Sequence, residues 1–339
     1  MKSLLYTAPK KFSIVEVETP KCGKGQVLIR VRSCGICKTD VHIHNGQFLS
    51  RFPLTPGHEF AGEVVEVGDE VTDFSKGARV VADNTVLCGE CYYCRRNQPL
   101  YCQNFYSLGV TGPGGFAEYV AVNHEKVFPI RADTSFDTAA FTEPTACAVH
   151  GMDMIDLHCG DDVLLFGSGA TGIILAQLIR FGGAGNMLVA APSEFKLKIL
   201  KEMGINTVKI DRNDHVANER HIKELYPGGF DVIIDATGDS SITEQCIKFS
   251  RKGSKIVVYG VCDEKDRIAI SPYEIFSKEL KIIGSFAQTH CFDRAIKYLE
   301  NGTVRVDKLT THHFRLDEYE KGLNTVMDGS KSIKVLINP

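Results

Sequence analysis

Four cysteines, Cys88, Cys91, Cys94 and Cys102, stand at C-x2-C-x2-C-x7-C within LCGECYYCRRNQPLYC. Two-residue spacers let a tight loop turn successive sulfurs toward one centre, and the seven-residue step returns the fourth. Four thiolates converging tetrahedrally at about 2.3 Å would hold a zinc ion. Unrelated thiols or a disulfide pair are the bland readings. An iron–sulfur cluster competes because it shares the C-x2-C-x2-C opening. A closed zinc site is the favoured reading. With four protein ligands it has no open position, so it would organise a lobe of about residues 86–104 and perform no reaction.

A second chemistry is carried by glycine. Gly167, Gly169 and Gly172 form G-x-G-x-x-G directly after the apolar run Val163–Phe166 and at the start of a helical pattern. The bare motif is weak, but that strand–turn–helix context is the confirming one for a dinucleotide. The first glycine permits the tight turn, the second admits the pyrophosphate, and the third allows close helix–strand packing. The free N–H groups of the helix start then face the phosphates.

NAD-binding folds place Asp or Glu at the end of the next strand to hold the adenosine ribose. Here that position is Ala191, followed by Pro192, Ser193, Glu194 and Lys196. Without a carboxylate a 2'-phosphate is not repelled, and Ser193 and Lys196 can bind it, so NADP(H) is favoured over NAD(H). Glu194, offset by three residues, is read as a solvent-facing residue at the start of the next helix.

The elements that must position these groups change character along the chain. The first 130 residues are dense in Gly and Pro, with short β-rich runs at 27–31, 63–67, 79–82 and 116–122. Alternation such as V-L-I-R-V-R predicts half-buried strands of an antiparallel, barrel-like domain. From about residue 161 the runs 163–166, 187–191, 208–210, 232–234, 255–259 and 280–283 are continuously apolar. Helical spacing separates most of them, at 170–181, 193–203 and 242–251. That alternation predicts a parallel, doubly wound α/β sheet. Helices at 293–300 and 317–327 and a last strand at 333–337 should return to the first domain.

The chain has 339 residues, enough for about two domains, and 39 basic against 42 acidic residues. This balance gives no bulk argument for nucleic acid or an anionic membrane. The uncharged stretch 163–179 is broken by Gly-Ser-Gly-Ala-Thr-Gly, so it reads as a buried strand–turn–helix and not a membrane span. MKSLLYTAPKKF lacks the apolar stretch of a secretory signal. A cytoplasmic protein is expected, in which clustered cysteines mean metal or catalysis and not disulfides.

Three further segments are weak alone: Cys34-Gly-Ile-Cys37-Lys38-Thr39-Asp40-Val-His42, then Pro-Gly-His58-Glu59-Phe-Ala-Gly, then Thr-Glu143-Pro. In this order, with GHEFAGEVVEVG, the four-cysteine lobe, GGFAEYVAV and the glycine motif, the chain resembles the zinc-dependent medium-chain alcohol and polyol dehydrogenases from Ser3 to its end. The resemblance implies a GroES-like β-barrel catalytic domain at 1–145 and 287–339, and a Rossmann domain at 146–286. It assigns Cys37 and His58 to a catalytic zinc. Its third protein ligand is a glutamate in the sorbitol-like branch, here Glu143. Glu59 would approach that metal, and Asp40 would brace the other ring nitrogen of His58. Cys34 and Cys147 are left as packing residues, Cys34 being the tempting rival ligand.

Such a site keeps one position open, where zinc acts as a Lewis acid on a bound hydroxyl. Thr39 would take the alcohol proton and pass it by way of the nicotinamide ribose to His42, the competing reading of His42 being a surface histidine. Lys38 and Lys334 match positions where the family sets basic residues near the pyrophosphate. The implied protein is a two-zinc, NADP(H)-dependent polyol dehydrogenase or ketose reductase, most like the D-arabinitol enzymes, and a homodimer or homotetramer joined near residues 280–285. NAD-dependent sorbitol-, butanediol- or threonine-type dehydrogenases and a simple alcohol dehydrogenase are the rivals. A catalytically silent nucleotide sensor would lack one of Cys37, His58, Glu143 or Thr39. A nucleic-acid-binding zinc protein would need more basic residues than Arg95 and Arg96 beside the cluster.

Overall fold

The V-L-I-R-V-R run belongs to one long strand, Gln26–Ile36. Val27, Ile29 and Val31 enter a core with Val64, Val80, Val120 and Val122. Arg32 stays at the surface in an ion pair with Glu63. The strand outruns its alternating part because Cys34, Gly35 and Ile36 pair with the C-terminal strand Lys334–Asn338. Residue 37 therefore emerges from the middle of a sheet, where its position is fixed from both sides.

In this computed structural model, which describes residues 1–339, the chain divides into two units. They are Met1–Ala146 with Gln288–Pro339, and Cys147–Ala287. The first holds a sheet in the order Thr310–Arg315, Lys334–Asn338, Gln26–Ile36, Glu59–Val67, Arg79–Ala82, Val127–Pro129, with Tyr119–Asn123 also on Gln26–Ile36. One pair departs from the antiparallel expectation. Thr310–Arg315 runs parallel to Lys334–Asn338, because the chain between them crosses over through the helix Tyr319–Asp328. The strand Thr310–Arg315, with its polar T-T-H-H-F-R sequence, gave no apolar signal to read.

The second unit is a six-stranded parallel sheet in the order Asn206–Lys209, Asn186–Ala191, Asp162–Phe166, Phe230–Asp235, Ser250–Val258, Lys281–Gly284. In sequence order this is 3-2-1-4-5-6, with the direction of winding reversing at Asp162–Phe166. Leu164, Phe166, Leu188, Ala190, Val208, Ile233 and Ile256 form one buried face. The helix expected across 242–251 is shorter. It spans Ser240–Cys246, tightens to a 3-10 turn at Ile247–Phe249, and Ser250 already opens the next strand. The Ser250 hydroxyl donates to Ile247 O, and Arg251 pairs with Asp162 and Asp231, which ends the helix there. No helix is long and apolar enough to cross a membrane.

Candidate metal centres and nucleotide site

Cys37 caps the helix Lys38–His44, and Asp40 in its first turn returns to that cap. Cys37 N–H donates to Asp40 Oδ2 at 2.8 Å, the reciprocal half of a capping box. His58 and Glu59 arrive at the start of the strand Glu59–Val67, whose residue Glu59 pairs with Gly35. One ligand atom each from Cys37, His58 and Glu59 lies within 4.8 Å of the others. Thiol, imidazole and carboxylate in a largely buried setting are the donor types zinc takes. Glu143, in the first turn of the helix Thr142–Ile155, lies outside this tightest group. Its charge nevertheless reaches both His58 and Lys334.

The electrostatics of the centre are those of a concentrated negative field. Burial opposes protonation of His58, but its bond to Cys37 and the charges of Asp40 and Glu143 outweigh burial and raise its pKa well above the usual value. His58 Nδ1 has no hydrogen-bond partner, although it is buried. Asp40 Oδ1 faces His58 Nδ1 at 3.9 Å, within ion-pair reach but too far for a hydrogen bond, while Oδ2 accepts from Cys37 N–H. Burial lifts the Asp40 carboxyl to about 6. A divalent cation is the complement such a site asks for.

Lys334 is not a surface lysine. Its ammonium donates to both Glu59 oxygens, at 2.8 and 2.6 Å, with the lysine 4% exposed. Its charge is thus committed inside the candidate metal centre, a pairing 275 residues apart in sequence that no local pattern announces. Cys34 is fully buried, is absent from the ligand group, and burial drives its thiol pKa well up.

Thr39 Oγ1 lies 3.7 Å from the Cys37 sulfur. His42 follows three residues later on the same helix, so the two share a face. The His42 Nδ1 lies 3.1 Å from the amide oxygen of Gln47, a partner the sequence did not signal. Lys38 is exposed in the first turn of this helix.

The four-cysteine segment folds as two 3-10 turns, Cys94–Arg96 and Pro99–Tyr101, closed at its base by Thr85–Val86 pairing with Tyr106–Ser107. All four sulfurs lie within 4.8 Å of one another. Cys102 is 3.5 Å from Cys88 and 3.9 Å from Cys91. A tetrahedron with arms of about 2.3 Å has edges of about 3.8 Å, so the spacing fits one tetrahedral ion. It is too long for a disulfide, and all twelve cysteines are unbridged. Backbone N–H groups lower the Cys91 thiol to about 6, whereas desolvation and the neighbouring sulfurs lift Cys94 to about 12.

In the second unit Gly167 turns the chain at φ +115°, a region closed to most side chains. Gly169 caps the helix Ala170–Phe181 with no side chain closing the end. A Cβ at Gly169 would meet nothing within 4 Å, whereas one at Gly172 would strike Gly167 O at 2.5 Å. The turn therefore leaves an open approach to the helix N-terminus at one glycine and is tightly packed at the other, which suits a bound pyrophosphate.

Ala191 ends its strand fully buried, and Ser193 caps the helix Glu194–Glu202 without using its side chain. Lys196 is half-buried on that helix. Glu194 is exposed and bound to Lys201 at 2.9 Å; Lys201 and the charge of Lys209 hold its carboxyl below its usual range. Lys209 is the register partner of Ala191 on the neighbouring strand, a proximity created by sheet pairing and invisible in sequence.

Residues 23–132 match the alcohol dehydrogenase GroES-like domain, and residues 170–301 the zinc-binding dehydrogenase domain. The chain is 41% identical to D-arabinitol dehydrogenase 1 of Uromyces fabae, over all of this chain and 97% of that one. It is 33% identical to the L-threonine 3-dehydrogenase of Idiomarina loihiensis, over 96% and 95% of the two chains. Among solved structures it is similar to a protein of Sinorhizobium meliloti described as a zinc-binding dehydrogenase bound to NADP. The two are 31% identical, with TM-score 0.92, covering 100% of this chain and 99% of that one.

Proposed function

The chain belongs to the zinc-dependent medium-chain dehydrogenases, in their polyol branch, and on that premise we propose that it interconverts a sugar alcohol and a ketose by hydride exchange with NADP(H). The observation that carries the reading is the convergence of Cys37, His58 and Glu59 within 4.8 Å, beside the Thr39 hydroxyl. When bound, zinc supplies Lewis acidity to a hydroxyl and the nicotinamide exchanges the hydride.

Cys37, His58 and Glu143 are the proposed zinc ligands, and Glu59, neutralised by Lys334, is the group able to approach the metal without adding net charge. Thr39 holds the substrate hydroxyl and accepts its proton while releasing its own into a relay along the nicotinamide ribose, and His42 at the end of that relay passes a proton to solvent. Gly167, Gly169 and Gly172 cradle the pyrophosphate. Cys88, Cys91, Cys94 and Cys102 hold a second, structural zinc.

Three features support NADP(H). Ala191 offers no carboxylate, Glu194 is tied to Lys201, and Lys209 stands opposite Ala191. With Ser193 and Lys196 these form a cationic, hydroxyl-bearing end for a 2'-phosphate. The named relatives support D-arabinitol as the leading substrate, with L-threonine as the second reading, since the threonine enzyme also aligns over nearly the whole chain.

A homodimer or homotetramer is supported by the open edge strand Lys281–Gly284, with Ile282 exposed on it and Phe276 and Phe286 exposed before and after it in sequence. Twelve unbridged thiols suit a cytoplasmic setting. The test is a spectrophotometric screen of pentitols, hexitols, diols and threonine with each cofactor. Oxidation of a pentitol with NADP is expected. Failure of every alcohol with zinc-replete protein would overturn the reading.

A further inference from the structure

We propose that Gln47 is a positioning residue for the proton relay, holding the His42 imidazole in the tautomer that carries its proton on Nδ1 and keeps the lone pair on Nε2. The inference rests on the reading of His42 as the end of that relay.

A carboxamide oxygen can only accept a hydrogen bond. At 3.1 Å from Nδ1, Gln47 Oε1 therefore bonds to His42 only when Nδ1 carries the proton. In a neutral imidazole one nitrogen donates and the other accepts, so Nε2 is left as the base. The opposite tautomer would present an N–H to the incoming proton and block it.

The acceptor is held in place by more than that one bond. Gln47 N–H donates to His42 O at 2.9 Å, so the same two residues are joined through backbone and side chain at once. Gln47 O in turn accepts from the Ser50 hydroxyl at 3.0 Å. The turn Asn45–Gly46, with Gly46 at φ +75°, folds the chain back over the end of the helix Lys38–His44 and makes this closure possible. Residue 47 thus reaches the imidazole for reasons of local geometry that any hydrogen-bond acceptor of similar length could exploit.

The proton balance follows. Oxidation of an alcohol sends two electrons and one proton to the nicotinamide as hydride and releases one further proton. Nε2 takes that proton, and the resulting imidazolium keeps Nδ1–H on Gln47. Loss of the Nε2 proton to water restores the starting tautomer, so each cycle begins with the base facing the same way.

The test reads the tautomer directly. Protein labelled with ring-15N histidine gives two-bond 1H–15N correlations, and His42 is assigned by its disappearance in His42→Ala. The metal-free chain suffices for this measurement. The expected result is Nδ1–H in the native chain and in Gln47→Glu, which keeps an acceptor oxygen, and a mixture of tautomers in Gln47→Leu.

In the zinc-loaded enzyme, Gln47→Leu should lower kcat for the polyol about tenfold while the KM for NADP moves less than about twofold, with Gln47→Glu restoring the rate. In a His42→Ala background Gln47→Leu should add nothing. An Nε2–H tautomer in the native chain, or an unchanged tautomer in Gln47→Leu, would overturn the proposal. So would a Gln47→Leu effect that survives in the His42→Ala background. A slowed His42→Ala beside an unaffected Gln47→Leu would remove the Gln47 role alone, whereas a fully active His42→Ala would overturn the relay reading and this role with it.

Discussion

Lys334 and Glu59 form a doubly bonded ion pair inside the first unit, Nζ to Oε1 at 2.8 Å and to Oε2 at 2.6 Å, with both side chains almost wholly withdrawn from solvent. Burial pulls the lysine's pKa down, but Glu59, together with the charges of Cys37 and Glu143, outweighs burial and holds the ammonium above its usual pKa. Removing one partner strands a buried charge. Lys334→Met should therefore cost about 3–5 kcal/mol in urea denaturation of the metal-free chain. Adding Glu59→Gln should return most of that loss, because the orphaned charge goes with it. An equal loss in the double variant would show that packing, not charge, is responsible.

What could be read in the sequence, and what could not, divides by range. The parallel sheet was legible because each buried strand is a continuous apolar run set off by helical spacing. The turn at Gly167 was legible because a local backbone need selects glycine. Lys334 against Glu59 and Lys209 against Ala191 were not, since strand pairing across long separations leaves no periodic trace. Asp40 was read only in part: the sequence suggests a brace for His58, which it faces at 3.9 Å, but not the second bond by which its other oxygen, as the third helical residue, closes the capping box with Cys37 N–H.

Thr39→Val removes the hydroxyl that stands 3.7 Å from the Cys37 sulfur while keeping the shape of the side chain. If that hydroxyl is the first proton acceptor, kcat for alcohol oxidation should fall on the order of 10²-fold or more. NADP(H) binding, followed by fluorescence titration, should be unaffected. Thr39→Ser should recover most of the rate, and a Thr39→Val enzyme of normal kcat would exclude Thr39 from the relay.

Ala191→Asp would set a carboxylate at the end of the second-unit strand, across from Lys209. It should turn the ratio of kcat/KM for NADP over NAD downward by about tenfold or more, through repulsion of the 2'-phosphate and a new bond to the ribose hydroxyls. Lys209→Ala should weaken NADP with little effect on NAD. A native enzyme that already prefers NAD would overturn the argument from Ala191.

Arg251 ties Asp162 to Asp231 at the base of the parallel sheet, at 2.8 and 3.2 Å. Burial pushes the Asp162 carboxyl up, but its bonds to Asn186 and Arg251 outweigh this and the net pKa is lowered. A carboxyl with a lowered folded pKa adds stability above its unfolded value, about 3.9. That stability is lost as the pH falls through the folded value. Arg251→Met should thus cost on the order of 1–2 kcal/mol at neutral pH, and the gap from the native chain should narrow as acid protonates Asp162. Chemical denaturation at pH 7, 4 and about 3 measures it. A gap that does not change with pH would place the loss in the packing of the arginine stem.

The segment from Cys88 to Cys102 has two short 3-10 turns and one buried leucine, Leu100, to hold it. Without an ion the four crowded sulfurs cannot all ionise together, and the segment offers no apolar core in exchange, so the order of this lobe should depend on its metal. Mass spectrometry of metal content is expected to find two zinc ions per native chain and about one in Cys94→Ser. Arg95 and Arg96 are exposed within the lobe, which makes them its reporters. Trypsin should cut there faster in Cys94→Ser and in chelator-treated protein, before the parallel sheet of the second unit is attacked. One zinc per native chain, with Cys94→Ser retaining it and resisting trypsin as the native chain does, would mean that the lobe folds without a metal.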